Sequence, residues 1–348
     1  MRKEFVNEVA RTQNIKRADL IEKDLILHQV LIDLSKNKFF CDNFAFKGGT
    51  CLAKCYLDYF RFSEDIDFTW KNQNVFDGKS QKEVRRYLST VIDSIGEIFE
   101  DIAKARDLDF RSLKEDRNYV ELTGGDKTCT FKVWYKSEML DHKSFLKVQM
   151  NFVEKLCYQF KKADLKSLIS ADHQELAILY PEYQEYTQKI SFDIYDCHEI
   201  LAEKIRAILT RKGTKARDFL DVYLIVNKFD ISLEDIFSCA IEKTKFALNL
   251  YARYRKNLED KRSTLLSMPF SWGEEKGLLL KEIDEKDFYK FIEKVRVFLK
   301  KLVENLPVPQ KEAEKSFPTN KEHRELKNLA EESATEDAVN RAKRHHQL

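Results

Sequence analysis

The sequence predicts an α+β fold: a mixed sheet with flanking helices, followed by a mostly helical C-terminal half. Two patterns carry this reading. Short stretches with strand alternation recur at separated points between residues 44 and 195, interleaved with long segments of helical periodicity. Glycine (9) and proline (5) are scarce among the 348 residues, which favours long helices and few tight turns. The chain is long enough for one large or two ordinary domains, and 25 Phe and 14 Tyr offer a sizeable core.

Taken in order, residues 1–43 read as two helices. Leu20, Ile21, Leu25, Ile26, Val30, Leu31 and Leu34 form an apolar stripe, with Glu22, Lys23 and Asp24 assigned to the wet side. A short strand ends at Phe44–Phe46. Gly48-Gly49 then make a tight turn, and Thr50 is expected to cap a helix starting at Cys51, with Leu52, Tyr56 and Tyr59/Phe60 packed inward. A second strand carries Asp65-Ile66-Asp67. After a polar turn, a long helix is predicted over residues 81–105, with Val84, Leu88, Val91, Ile92, Ile95 and Phe99 on one face.

Strands over 118–122 and 128–135 flank Thr123-Gly-Gly-Asp126, a hairpin turn by composition, and residues 145–152 alternate as a third. With the two strands of the Gly-Gly region this makes about five. A further strand at 190–195 leads into a helix whose stripe, Ile200, Leu201, Ile205, Ile208 and Leu209, leaves Glu203, Lys204 and Arg206 off it. A Gly-containing turn precedes another helix running to Tyr223. Residues 229–306 read as mostly helical, with Phe237, Ile241, Phe246 and Leu248 in one helix, Phe288, Phe291, Val295 and Phe298 in another, and a turn at Met268–Trp272. From Pro307 apolar residues thin out. The expected division is a catalytic core with N-terminal helices over 1–195, a helical subdomain over 196–306, and a polar tail over 307–348 that serves as linker or partner arm.

Charged residues make up 34% of the chain, yet the formal net charge is only +2. No global basic signature marks a nucleic-acid binder, so any such contact must be local. Arg211, Lys212, Lys215 and Arg217 form one candidate patch, although a solvated turn has the same composition. The N-terminus lacks an apolar signal region and no stretch approaches the ~20 apolar residues of a membrane span, so a cytoplasmic protein with no membrane contact is expected. Seven scattered cysteines do not form a disulfide framework. Cys41, Cys51 and Cys55 lack zinc-site spacing and read as free thiols. His198-Glu199 is no zincin motif, because Ala202 stands where the second histidine belongs.

Chemistry concentrates between Lys47 and Asp67. Residues two apart on a strand share a face, so Asp65 and Asp67 project together. Two adjacent carboxylates repel unless a cation lies between them or one stays protonated. Hard oxygen pairs suit Mg²⁺, which completes its shell with water and substrate phosphates. The Gly48-Gly49 turn offers unscreened backbone N–H groups at a helix start, where an anion is favoured. Thr50 and Ser63 add hydroxyls nearby.

Gly-Gly, a helix of about ten residues and then Asp-x-Asp resembles the signature of the nucleotidyltransferase superfamily related to DNA polymerase β. More narrowly, Lys47-Gly-Gly-Thr50 followed by Arg61-Phe-Ser-Glu-Asp-Ile-Asp-Phe68 resembles the AbiEii/AbiGii toxins of type IV toxin–antitoxin and phage-abortive systems. Glu203-Lys204-x-Arg206 with Arg217-Asp218 is similar to that family's second signature, in which a lysine and a downstream aspartate complete the nucleotide site. The resemblance implies a Mg²⁺-dependent transfer of a nucleotidyl group from an NTP, with release of pyrophosphate. It assigns Asp65 and Asp67 to the metal, and Asp65, Asp67, Lys204 and Asp218 to catalysis. Lys47, Gly48, Gly49, Thr50, Ser63, Lys204 and Arg217 fall to nucleotide binding. The donor stays open, with GTP and the pyrimidine nucleoside triphosphates as candidates, and so does the acceptor, which is RNA (tRNA in particular) or protein. A cognate antitoxin is implied. The chain departs from the superfamily in one respect: a third carboxylate is expected on a strand beside Asp-x-Asp, where Gln149 and Asn151 stand instead. A small-molecule (antibiotic-type) nucleotidyltransferase and a non-catalytic nucleotide-binding module are the competing readings.

Overall fold

In the computed structural model, which describes residues 2–169, 174–267 and 270–306, the sheet grows outward from the strands of the Gly-Gly region. Its strands are β1 (Phe44–Lys47), β2 (Asp65–Trp70), β3 (Val120–Thr123), β4 (Thr128–Lys136), β5 (Lys143–Asn151), β6 (Lys161–Asp164) and β7 (Ser191–Ile194), in the order β3-β4-β5-β2-β1-β7-β6. The two central strands, β1 and β2, pair antiparallel with Lys47 opposite Asp67. On either flank the neighbour runs parallel, β5 beside β2 and β7 beside β1. The outer pairs are antiparallel. This is the mixed sheet of an α+β domain.

The N-terminal helices are α1 (Lys3–Thr12), α2 (Ala18–Lys36) and α3 (Lys38–Asn43). A single turn, α4 (Gly48–Cys51), continues as a π-helix over Leu52–Tyr56, and α5 (Gln81–Arg106) covers the sheet. The short α6 (Gln174–Leu179) and α7 (Tyr183–Tyr186) precede β7. Then follow α8 (Cys197–Thr210), α9 (Ala216–Phe229), α10 (Phe237–Leu250), α11 (Ala252–Arg262) and α12 (Glu285–Glu304). One continuous apolar cluster joins the sheet, α5 and the helices from α8 to α12, and a smaller one packs α1 and the start of α2 against residues 168–186. Residues 1–306 form one compact unit, and the expected tail at 307–348 lies outside the described residues, as do Met268 and Pro269 of the expected turn.

Local chemistry explains the boundaries. The side chains of Ser80 and Glu83 close a capping box at the start of α5, and Asp107 ends it in the left-handed region. The β3–β4 hairpin turns through Gly124, Gly125 and Asp126, all at positive φ, which glycine adopts without strain.

Several expectations need correction. Residues 1–43 hold three helices, because Asn37 interrupts the second and caps the third by accepting from the Phe40 N–H. Glu22 and Asp24 are not on the wet side: they are 1% and 3% exposed. Asp24 pairs with the buried Lys54 at 3.0 Å and accepts from the Tyr59 hydroxyl, while Glu22 accepts from Ser137 Oγ and the Glu138 N–H. Elements distant in sequence cover this face of α2 and bring polar partners, so burial costs no unmet hydrogen bond. Thr50 caps nothing. The helix begins at Gly48, with Lys47 in the capping position, and the Thr50 hydroxyl turns inward to donate to the Asp65 carbonyl. The described sheet has seven strands. The unanticipated β6, Lys-Lys-Ala-Asp, is a largely exposed edge strand with no apolar alternation to announce it.

Candidate active site

The Gly-Gly turn, the open face of β2 and β5, and the inner faces of α8 and α10 enclose a cleft of about 450 Å³. Asp65 and Asp67 share the face of β2 that opens into it. Gly48 sits at φ +79°, and a Cβ there would collide with the Asp67 carboxylate. A Cβ on Gly49 would fall 2.7 Å from a guanidinium nitrogen of Arg61 and 3.0 Å from Ser63 Oγ. Only glycines let this backbone pass between the Asp67 carboxylate on one side and Arg61 and Ser63 on the other.

Neither Asp65 nor Asp67 enters an ion pair among the described residues, although the cleft is rich in charge. Burial pushes the Asp67 carboxyl up to about 6; Lys47 opposes this, while Asp65 and Glu203 add to it. Two adjacent carboxylates with hard oxygens, one of them raised by burial and neither in an ion pair among the described residues, fit a divalent ion of the magnesium type.

The third carboxylate is not on β5. The register sets Gln149 opposite Asp67 and Asn151 opposite Thr69. The nearby acids come from elsewhere: Glu154, just past β5, and Glu203 on α8 both line the cleft. Lys47 lies between them, 1% exposed, paired with Glu154 and 3.1 Å from Glu203. Burial works against its charge, but Glu154 and Glu203 outweigh it and hold Lys47 above its ordinary value. Lys47 reaches the cleft wall already committed to two acids. The pairs bring Glu154 and Glu203 to the same ammonium, opposite Asp67 in the β1–β2 register of Lys47. Tyr195 completes the arrangement by donating to Glu154.

A second network holds Lys204. Its ammonium lies 3.2 Å from Asp218 and 2.7 Å from Asp221. Arg61 grips Asp221 with two bonds of 2.8 Å, and Arg211 pairs with Asp218. Asp221 is buried, yet Arg61 and Lys204 hold its pKa down to about 2; Lys204 and Arg211 likewise keep Asp218 below the usual carboxylate range. The alternating chain Arg61–Asp221–Lys204–Asp218–Arg211 ties the Gly-Gly region to α8 and α9 and fixes the lysine at the cleft. Lys204, Arg211 and Arg217 line the cleft, and Arg217 also pairs with Glu275. Asp218 is 1% exposed behind Lys204 and does not line it.

Of the residues singled out from sequence, the structure therefore gathers Asp65, Asp67, Lys47, Gly48, Gly49, Ser63, Lys204 and Arg217 around one cleft. Thr50 and Asp218 stand behind its wall. Sequence reasoning missed Arg61 and Asp221 as a buried pair, and Glu154 and Glu203 as the flanking acids. The repeated Asp at positions 218 and 221, one helical turn apart, was the available signal for the second carboxylate on Lys204.

The far end of the cleft differs in character. The Tyr251 and Tyr254 ring centroids lie 5.1 Å apart with Arg253 over both rings, and a Cβ at Gly124 of the hairpin would fall 2.7 Å from the Tyr251 ring. The Thr128, Thr130, Lys132 and Lys147 side chains line the facing strands.

No helix of the described residues is long and apolar enough to cross a membrane. Among solved structures, the chain resembles JHP933 from Helicobacter pylori at 15% identity and a TM-score of 0.42, over 82% of this chain and 94% of that one. It also resembles an H. pylori protein described provisionally as a nucleotidyltransferase, at 16% identity and a TM-score of 0.40, over 83% and 98% of the two chains. No curated protein sequence matches. The family model for the AbiEii nucleotidyl transferase toxin of type IV toxin–antitoxin systems matches residues 30–317, which spans the Gly-Gly turn, both aspartates and the Lys204 network. The chain belongs to the AbiEii nucleotidyl transferase toxin family.

Proposed function

We propose that this toxin moves a nucleotidyl group from an NTP to an acceptor hydroxyl, releasing pyrophosphate, with Asp65 and Asp67 holding Mg²⁺. The observation that carries the reading is the unpaired Asp65–Asp67 face beside Gly48-Gly49, in the same cleft as the fixed ammonium of Lys204. Bound magnesium would supply charge neutralisation on the triphosphate. The protein's own groups do the rest. The Gly48 and Gly49 backbone and the Ser63 hydroxyl receive phosphate oxygens, and one of the two carboxylates takes the proton of the attacking hydroxyl. Lys204 meets the leaving phosphates as a compact charge, supported by Arg211 and Arg217. Because Asp218 and Asp221 hold Lys204 before substrate arrives, little reorganisation is left for the reaction itself.

The type IV family implies an antitoxin partner. RNA, tRNA in particular, and protein both suit a cleft that ends in Tyr251, Arg253 and Tyr254. A binding-only reading draws on one observation, the uncharged Gln149 opposite Asp67. Incubation with total RNA or total protein and each α-³²P-labelled NTP in turn reports donor, acceptor and turnover together. Covalent label in one fraction with one favoured NTP supports transfer. Nucleotide retained by the protein with no label transferred to either fraction supports binding alone.

A further inference from the structure

Two thiols outside the Asp65–Lys204 machinery, neither of them lining the cleft, lie close together. Cys157 is half-buried in the segment that follows β5, and Cys239 is buried in the first turn of α10. Their sulfurs and a Glu199 carboxylate oxygen all lie within 4.8 Å of one another. The Cys157 sulfur is also 3.9 Å from the Cys239 carbonyl, although 82 residues separate the two positions.

A metal ion is the first candidate for such a group, but Glu199 has no oxygen to give. One oxygen accepts from the Cys157 and Tyr158 N–H groups at 2.9 and 2.8 Å, and the other is paired with Lys243, whose ammonium also donates to the Lys155 carbonyl. The carboxylate serves to hold the Cys157 backbone and the Lys243 cation in place. What remains is a pair of thiols on two elements, one open to solvent and one not, beside a fixed positive charge.

We propose that Cys157 and Cys239 are a peroxide-sensitive dithiol that closes to a disulfide and ties one wall of the cleft to the other. Val153, Glu154 and Lys155 of the cleft lining lie just before Cys157, while Lys243, Phe246 and Ala247 follow Cys239 along α10. The two sulfurs are not equivalent. Cys157 is half-buried and reachable from solvent beside the Lys243 ammonium, while Cys239 is buried. The neighbouring Cys239 thiol and Lys243 hold Cys157 below its ordinary value, and Cys157 and burial raise Cys239. The reachable Cys157 is thus the nucleophile and Cys239 the proton-bearing partner.

The chemistry balances in two steps. The Cys157 thiolate attacks hydrogen peroxide, the O–O bond breaks, and the departing hydroxide takes up a proton, leaving Cys157 sulfenic acid and one water. The Cys239 sulfur then attacks the sulfenic sulfur, an S–S bond forms, and the sulfenic oxygen leaves as a second water with the Cys239 proton. Two thiols are oxidised by two electrons in total and one peroxide is reduced to two waters.

The test uses the full-length protein under limiting hydrogen peroxide. Two of the seven thiols should disappear, the peptides containing Cys157 and Cys239 should be found cross-linked, and dithiothreitol should restore all seven. In Cys239→Ser the reaction should stop at Cys157 sulfenic acid, trapped by dimedone; in Cys157→Ser neither the cross-link nor the adduct should form. A cross-link among Cys51, Cys55 and Cys197, survival of all seven thiols, or a pair freed for labelling only by a chelator would overturn the proposal. The effect on nucleotidyl transfer rests on the function proposed above and is read separately. Oxidation should slow wild-type transfer reversibly and leave Cys157→Ser unaffected. A cross-linked protein that transfers at the reduced rate would refute the switch while leaving the transfer reaction intact.

Discussion

Replacing Asp67 with asparagine should make the metal-free protein more stable above about pH 6 while destroying its response to magnesium. The native carboxyl is pushed up to about 6 from an ordinary 3.8. A raised carboxylate pKa means that the folded state holds its proton between those values while the unfolded state has lost it. Stability therefore falls as pH rises from about 4 to about 6, and the penalty is then constant. At about 1.4 kcal/mol for each pH unit of that window, the plateau approaches 3 kcal/mol. Asparagine keeps the shape and does not titrate. Urea melts in EDTA should find the two proteins nearly equal at pH 4 and Asp67→Asn more stable by about 1–3 kcal/mol at pH 7.5. Magnesium should then raise the wild-type midpoint and leave the variant where it was. A stability difference that stays the same from pH 4 to 8 would refute the raised Asp67 carboxyl, and equal magnesium stabilisation of both proteins would refute the placement of the metal on this pair.

Lys204→Ala should weaken NTP binding or turnover by about ten- to hundred-fold, the equivalent of a charge-assisted contact of about 1.5–3 kcal/mol, and Lys204→Arg should restore it only in part. Steady-state kinetics decide it; unchanged kcat and KM would return Lys204 to a purely structural place between Asp218 and Asp221. Arg61→Ala strands a fully buried Asp221 with Lys204 alone and should cost about 3–5 kcal/mol in a denaturant melt, far above an exposed arginine. Gly48→Ala should cost activity before it costs the fold, because its methyl group displaces the Asp67 carboxylate; nucleotide transfer at the wild-type rate would show that the turn has room the structure denies.

The features legible in the sequence were those set by local patterns. Gly-Gly and Asp-x-Asp named the strand–turn–helix–strand unit because each depends on backbone geometry within a few residues. Helix α5 followed from its periodicity to within a residue of its observed end. The misses share a different cause. Glu22 and Asp24 look like a solvated stripe until Ser137 and Lys54 arrive from other elements to bury and satisfy them. The pairing of Lys47 with Glu154 and Glu203 was equally hidden, because both acids lie far along the chain from Lys-Gly-Gly-Thr. Helix α11, Ala252–Arg262, is almost wholly polar and so carries no stripe to detect. In the site, local patterns named most of the residues that line the cleft, and tertiary pairing decided which of them are engaged with other side chains.

The central claim is that Asp65 and Asp67 drive nucleotidyl transfer. It is tested most directly by single-turnover transfer from an α-³²P-labelled NTP in the presence of magnesium, comparing wild type with an Asp67→Asn protein shown to be folded. The account predicts a labelled acceptor from the wild type, none without magnesium, and a loss of about a hundred- to a thousandfold in the variant, the scale of removing one electrostatic group from a transition state. Transfer by folded Asp67→Asn at the wild-type rate would contradict it.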